Sequence, residues 1–138
     1  MRKAIWIPVL LVMQACTTVE SDLSKSPIVG SWEWVNPESK CREFFIFKED
    51  GKEIGISGNR RFTDEYSLVD VSNEHGRYQL NAMTIQNSAG ADCKGQTKDW
   101  VGVPYTAYVE FRDNYNSIYI FHSAAGDEGF GPLTRVTN

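Results

Sequence analysis

Two hydrophobic patterns divide the chain. An unbroken apolar run, Ala4 to Met13 (AIWIPVLLVM), follows Arg2 and Lys3, whereas beyond Pro27 apolar residues come in short β-favouring segments separated by turn residues. The first pattern is that of a secretory signal, with a charged n-region and a hydrophobic h-region. It is well short of the ~20 apolar residues that a spanning helix needs. A polar stretch after Gln14 ends it.

The second pattern predicts strands at Ser31–Val35, Arg42–Lys48, Lys52–Ser57, Phe62–Val71, Arg77–Gln86, Tyr105–Arg112, Ser117–His122 and Leu133–Val136, with no helical stripe among them. Asp50-Gly51 lies between two of these runs, and glycine there supplies the positive φ of a tight hairpin. The second and third strands are therefore expected to be antiparallel neighbours. Short strands at this spacing predict a small all-β unit, a barrel or a sandwich.

Thr17 to Pro27 is rich in Ser and Thr, holds no aromatic residue, and has only Val19 and Leu23 as large apolar groups, which is a linker composition. The expected division is a signal over residues 1–15, a flexible tether over 16–27, and one β domain over 28–138. The folded part fits a single ordinary domain.

Alternation assigns faces. Trp32 and Trp34 share one face of the first strand, and Tyr78 and Leu80 share one face of the fifth. The second strand is apolar on both faces. In phase with Cys41 and Glu43, Phe45 and Phe47 are assigned inward, which carries Glu43 inward with them. A buried carboxylate must then be paired or protonated; the alternative is an exposed carboxylate at the rim. Of the 4 Trp, 6 Tyr and 7 Phe, all but Trp6 lie beyond the signal, and side chains of this size can fill a narrow eight-stranded interior. A filled core is the expectation.

Charge narrows the partners. Loss of Arg2 and Lys3 with the signal leaves 12 of the 14 basic residues against 18 acidic ones, a net charge of −6. Nucleic acid and anionic lipid surfaces are bound through basic patches, and no Arg/Lys stripe is present. Nucleic acid is excluded as a partner on this ground. Of the three cysteines, Cys16 directly follows the signal. Cys41 and Cys93 remain as a pair which, in an exported chain, is expected to be bonded; two separate buried thiols are the alternative.

Leu11-Val12-Met13-Gln14-Ala15-Cys16 resembles the lipobox of bacterial lipoproteins, with Met13 where leucine is usual and Gln14 where a small residue is usual. The resemblance implies lipidation of Cys16; ordinary cleavage after Ala15 is the alternative. With Thr17 rather than aspartate in the next position, it also implies the outer membrane as destination, with the domain lipid-anchored and facing the periplasm.

Gly30-Ser31-Trp32 opening the first strand and an arginine in the last strand, Arg135, are similar to the lipocalin-type barrel. More narrowly, the lipobox, Gly30-x-Trp32-x-Trp34, Cys41-x-Glu43, Asp50-Gly51, Asp92-Cys93-x-Gly95 and Phe130-Gly131-Pro132-Leu133-x-Arg135 together resemble small lipocalin-like outer-membrane lipoproteins of Gram-negative bacteria. The resemblance implies an up-and-down antiparallel barrel of about eight strands. It further implies a closing pair in which Arg135 packs across the Trp32 indole, a contact of about 1 kcal/mol. The chain has no cysteine near its last hairpin and none of the long C-terminal helix of large lipocalins, which implies a restricted cavity.

Catalytic chemistry has little to draw on. There are two histidines, His75 in an apparent turn and His122 at a strand end, and neither has zinc-ligand spacing. Asp113-Asn114-Tyr115-Asn116 lacks the closing glutamate of a calcium loop and is assigned to a hairpin turn. No enzyme activity, metal or cofactor is expected. Two readings remain. One is a lipid-anchored barrel that holds a small apolar ligand, with Trp34, Glu43, Phe45, Phe47 and Tyr78 as candidate lining residues. The other is a filled barrel whose loops engage an envelope or host protein, such as a cell-wall-degrading enzyme. An interior pocket of about 300 Å³ or more separates the first from the second.

Overall fold

A computed structural model describes residues 23–71 and 74–137. Residues 1–22, which hold the signal and Cys16, lie outside the described residues.

Eight antiparallel strands run in chain order around a closed barrel: β1 (Gly30–Val35), β2 (Arg42–Phe47), β3 (Lys52–Ser57), β4 (Arg60–Asp70), β5 (Arg77–Asn87), β6 (Pro104–Arg112), β7 (Ser117–Phe121) and β8 (Gly129–Arg135). The expected all-β barrel is what the chain forms. No α-helix occurs among the described residues. β3 matches its sequence-predicted span, and β4 begins two residues earlier than expected. β8 begins four residues before the expected Leu133. Gly131-Pro132 reads in sequence as a break because proline cannot donate to a ladder. The strand tolerates it beside a register shift opposite Ile118–Ile120 of β7, where pairing is already irregular.

The hairpin at Asp50-Gly51 sets the phase of the barrel. It places Phe47 opposite Glu53, Phe45 opposite Gly55 and Glu43 opposite Ser57. Directly opposed residues share a face. Phe45 and Phe47 point inward, as the sequence suggests, and the same phase turns Ile54 and Ile56 of β3 outward and its polar residues inward.

One end is sealed. Trp32 and Ile28 are wholly buried, with Phe47, Tyr66, Leu80, Val109, Ile118 and Leu133 around them. Each such side chain contributes about 1.5–3 kcal/mol by leaving water. The Trp32 indole N–H donates to Ile28 O at 2.8 Å, so its polar edge is satisfied. β1 meets β8 at Trp32–Arg135 and Glu33–Thr134, and the Arg135 guanidinium lies 4.2 Å from the Trp32 ring centroid. Arg135 also donates to Val29 O (3.0 Å), Pro27 O (2.9 Å) and Tyr115 O (3.0 Å). A Cβ on Gly30, whose φ is +136°, would stand 2.6 Å from Arg135 Nη1, so the guanidinium enters where a side chain would be.

The described end of the expected tether belongs to this plug. Leu23–Lys25 forms one 3₁₀ turn, and Leu23 packs against the core. Composition alone assigns this stretch to a linker; a single leucine finds the barrel end and orders it.

Candidate functional site

The opposite end is open. A cavity of about 380 Å³ opens there, lined by Glu43, Phe45, Ser57, Arg60, Phe62, Asp64, Thr84, Asn87, Asp92, Trp100, Val103 and Tyr105. Its walls are β2 to β6 and the 88–103 loop. The β7–β8–β1 side is occupied instead, with Trp34 packed on Phe130 at 5.0 Å between ring centroids. The expectation of a filled barrel thus holds for one side and fails for the other.

β4 supplies the depth axis. Arg60, Phe62 and Asp64 alternate on its inner face, so at ~3.3 Å per residue Arg60 and Asp64 are about 13 Å apart along the strand, with Phe62 midway. Space for the Phe62 ring comes from Gly55 opposite, where a Cβ would fall 1.8 Å from the ring. Asn87 pairs with Phe62, and Thr84 pairs with Asp64 across a register shift.

The 88–103 loop forms the upper wall because it is tied down at several points. Cys41 and Cys93 form a disulfide with a Cα–Cα distance of 5.7 Å. The Cys93 N–H donates to Ser57 Oγ (3.0 Å), whose hydroxyl in turn donates to Glu43. Asn59 N–H donates to Ala91 O (2.9 Å), and Arg60 Nε donates to Gly90 O (3.1 Å). Glu43 is therefore inward, half-buried and satisfied by Ser57, where sequence reasoning left inward and rim positions open. At the lip, Trp100, Val101, Val103 and Tyr105 are all exposed apolar or aromatic groups.

The floor is polar. Asp64 is 1% exposed; the Tyr105 hydroxyl donates to its Oδ2 at 2.7 Å, while Oδ1 has no hydrogen-bond partner. Glu53 sits directly opposite Asp64, 3% exposed, with Oε2 unpartnered. Higher on the wall, Arg60 Nη2 and Asn87 Oδ1 are also buried without partners. Unmet buried groups of this kind cost about 1–3 kcal/mol each, so three on the cavity wall and a fourth, Glu53, behind Asp64 form an unusual concentration. Burial drives the Glu53 carboxyl well above the usual carboxylate range, with the Asp64 charge adding to it. Burial also raises Asp64, against the opposing pull of the neighbouring Tyr105 and Thr84 hydroxyls. The Tyr105 hydroxyl is held far above its ordinary value, first by burial and then by the two carboxylates.

Of the five candidate lining residues, Glu43 and Phe45 line the cavity. The other three lie elsewhere. Phe47 is sealed in the core, edge-on to Tyr66 at 5.0 Å. Trp34 is spent on Phe130, and Tyr78 faces Phe111 near the opposite end, beside the Asp113–Asn116 turn. Cys16 lies outside the described residues. Sequence reasoning missed Glu53, Arg60, Phe62, Asp64, Asn87 and Tyr105. The phase of β2 carried through the Asp50-Gly51 turn would have marked Glu53 as inward.

Among the described residues, no group of three or more His, Cys, Asp or Glu is placed to hold a metal ion. His75 and His122 are exposed. No family model, curated protein or solved structure matches this chain.

Proposed function

We propose that this protein is a lipid-anchored binding protein of the bacterial envelope, of lipocalin-like type, that holds a small molecule in the open half of its barrel. The observation that carries the reading is the 380 Å³ cavity itself, within the ~300–1,000 Å³ range of small-molecule sites, with aromatic walls and a few convergent polar groups. The signal-like N-terminus and the lipobox-like Leu11 to Cys16 support export and anchoring at the outer membrane. The test is affinity capture of the protein from envelope extract, followed by mass spectrometry of bound small molecules and proteins. A small molecule retained by the wild type and lost when Phe62→Trp fills the cavity is the expected result; proteins alone would overturn it. Separately, Cys16→Ala should release the chain to the soluble periplasmic fraction.

A second reading, engagement of an envelope or host protein through the loops, draws on the exposed lip of Trp100, Val101, Val103 and Tyr105. In that case capture is abolished by polar substitution of Trp100 and Val101 and is indifferent to Phe62→Trp.

A further inference from the structure

We infer that the cavity selects a small organic cation, an amine with an apolar body, whose charged head descends to Asp64 and Asn87. The inference rests on the binding reading above and names its ligand class.

The distribution of charge with depth carries the argument. Three carboxylates line the cavity, Glu43, Asp64 and Asp92, and a fourth, Glu53, lies directly opposite Asp64; Arg60 is the single cation among the lining residues. Asp64 lies at the floor with Glu53 opposite it on β3, whereas Arg60 stands about 13 Å further along the tilted β4 strand toward the open end. An anionic head that descended would meet the Asp64 carboxylate and leave Arg60 behind it. A cationic head meets the opposite sign at the floor.

Below Arg60, whose Nη2 is an unpartnered donor nearer the entrance, hydrogen-bond supply points the same way. The unpartnered acceptors of the wall are Asp64 Oδ1 and Asn87 Oδ1, on neighbouring strands. A head group that satisfies both must donate at least two hydrogen bonds. A primary ammonium donates three and compensates the carboxylate charge, which an alcohol does not. Glu43 Oε1 is engaged by Ser57 and Asp92 Oδ1 by the N–H groups of Lys94 and Gln96 at 2.9 and 2.8 Å, so the buried acceptors left open on the wall are those of Asp64 and Asn87. Phe45 and Phe62 flank the midsection where the apolar body would rest, and Trp100 and Val103 flank the entrance. The Phe45 and Phe62 rings along the path also attract a cation, while the Trp100 ring at the entrance already carries the Lys98 ammonium at 4.2 Å.

The test is calorimetric binding of three probes of one shape, naphthylmethylammonium, naphthylmethanol and naphthoate, to the purified full-length protein. The ammonium is expected to bind at least about tenfold more tightly than the alcohol, the size of a charge-assisted hydrogen bond, and naphthoate more weakly still. Asp64→Asn should bring the ammonium down to the affinity of the alcohol and leave the alcohol unchanged. Asn87→Asp should widen the gap between them, and opposite shifts from two variants cannot come from loss of folding. Equal binding of ammonium and alcohol, or preference for naphthoate, would overturn the cation assignment and leave the binding reading standing. Failure of all three probes to bind would remove both.

Discussion

The two ends of this barrel solve opposite problems with similar residue types. At the sealed end every polar group near Trp32 has a partner: its indole N–H reaches Ile28 O, and Arg135 spends its donors on Val29, Pro27 and Tyr115 while stacking on the ring. At the open end, Asp64, Arg60 and Asn87 line the cavity and each retains an unpartnered buried atom, and Glu53, opposite both Phe47 and Asp64, keeps one between the two ends. Satisfied polar groups rigidify a core, whereas unsatisfied ones lower stability unless something else completes them. The sealed end holds the barrel together, and the open end carries unmet bonding capacity of the kind a binding site needs.

The contrast can be broken most directly by truncating both sides. Trp32→Ala should cost about 3–5 kcal/mol, because a fully buried indole and the seat of Arg135 go together. For a domain of this size that lowers Tm by roughly 4–8 °C per kcal/mol. Phe62→Ala, which only enlarges an existing cavity, should cost less than half as much; equal losses in a thermal melt would erase the distinction between the ends.

Next in size is reduction of the Cys41–Cys93 bond, which spans 52 positions and is worth at most about 4 kcal/mol in the chain-entropy picture. The expected result is a lower melting temperature together with weaker ligand retention, since the same bond holds the upper wall. A melt unchanged by reductant would mean that the loop is held by its backbone bonds alone.

A smaller effect tests the buried acids. Glu53 and Asp64 both titrate higher in the folded chain than in the unfolded one, so the folded state binds more protons across that interval. Their contribution to stability is therefore full at acidic pH and is lost as pH rises from the ordinary carboxylate range toward the elevated folded values. Asp64, Tyr66 and Tyr105 face Glu53, and none supplies a positive charge. Glu53→Gln should match the wild type near pH 4 and exceed it by about 1–2 kcal/mol near pH 8. Parallel stability curves for the two proteins would place the ionisation penalty elsewhere.

The smallest stability change is expected from Gly55→Ala. The added methyl would fall 1.8 Å from the Phe62 ring and displaces it from its recess toward the cavity that it lines. Probe affinity should drop while stability changes by roughly 1 kcal/mol or less, the scale of a glycine-to-alanine exchange in a strand. Unchanged affinity would show that Phe62 does not border the occupied volume.

β2 and β3 show how far a local pattern carries. In β2 the run Glu43-Phe44-Phe45-Ile46-Phe47 is apolar on both faces, and the phase fixed by Cys41 and Glu43 gives the observed inner set. In β3, Lys52–Ser57 alternates cleanly, and the simple rule would send Ile54 and Ile56 to the core. The barrel does the reverse, with Glu53, Gly55 and Ser57 inside, because the Asp50-Gly51 hairpin locks Phe47 opposite Glu53. Register outweighed hydrophobic preference there, and the polar floor of the cavity follows from it.

By itself the sequence determined what depends on neighbours along the chain: the strand segments, the Asp50-Gly51 turn, the inward phase of β2, and the cysteines available for a bond. Only the tertiary structure decided which inward residues share a depth. Closure of the sheet brings β8 under β1 and Asp64 opposite Glu53, and it leaves one side packed by Trp34 and Phe130 while the other stays open. Strand pairing is a non-local choice, so a pattern of period two names the faces but not the partners across them.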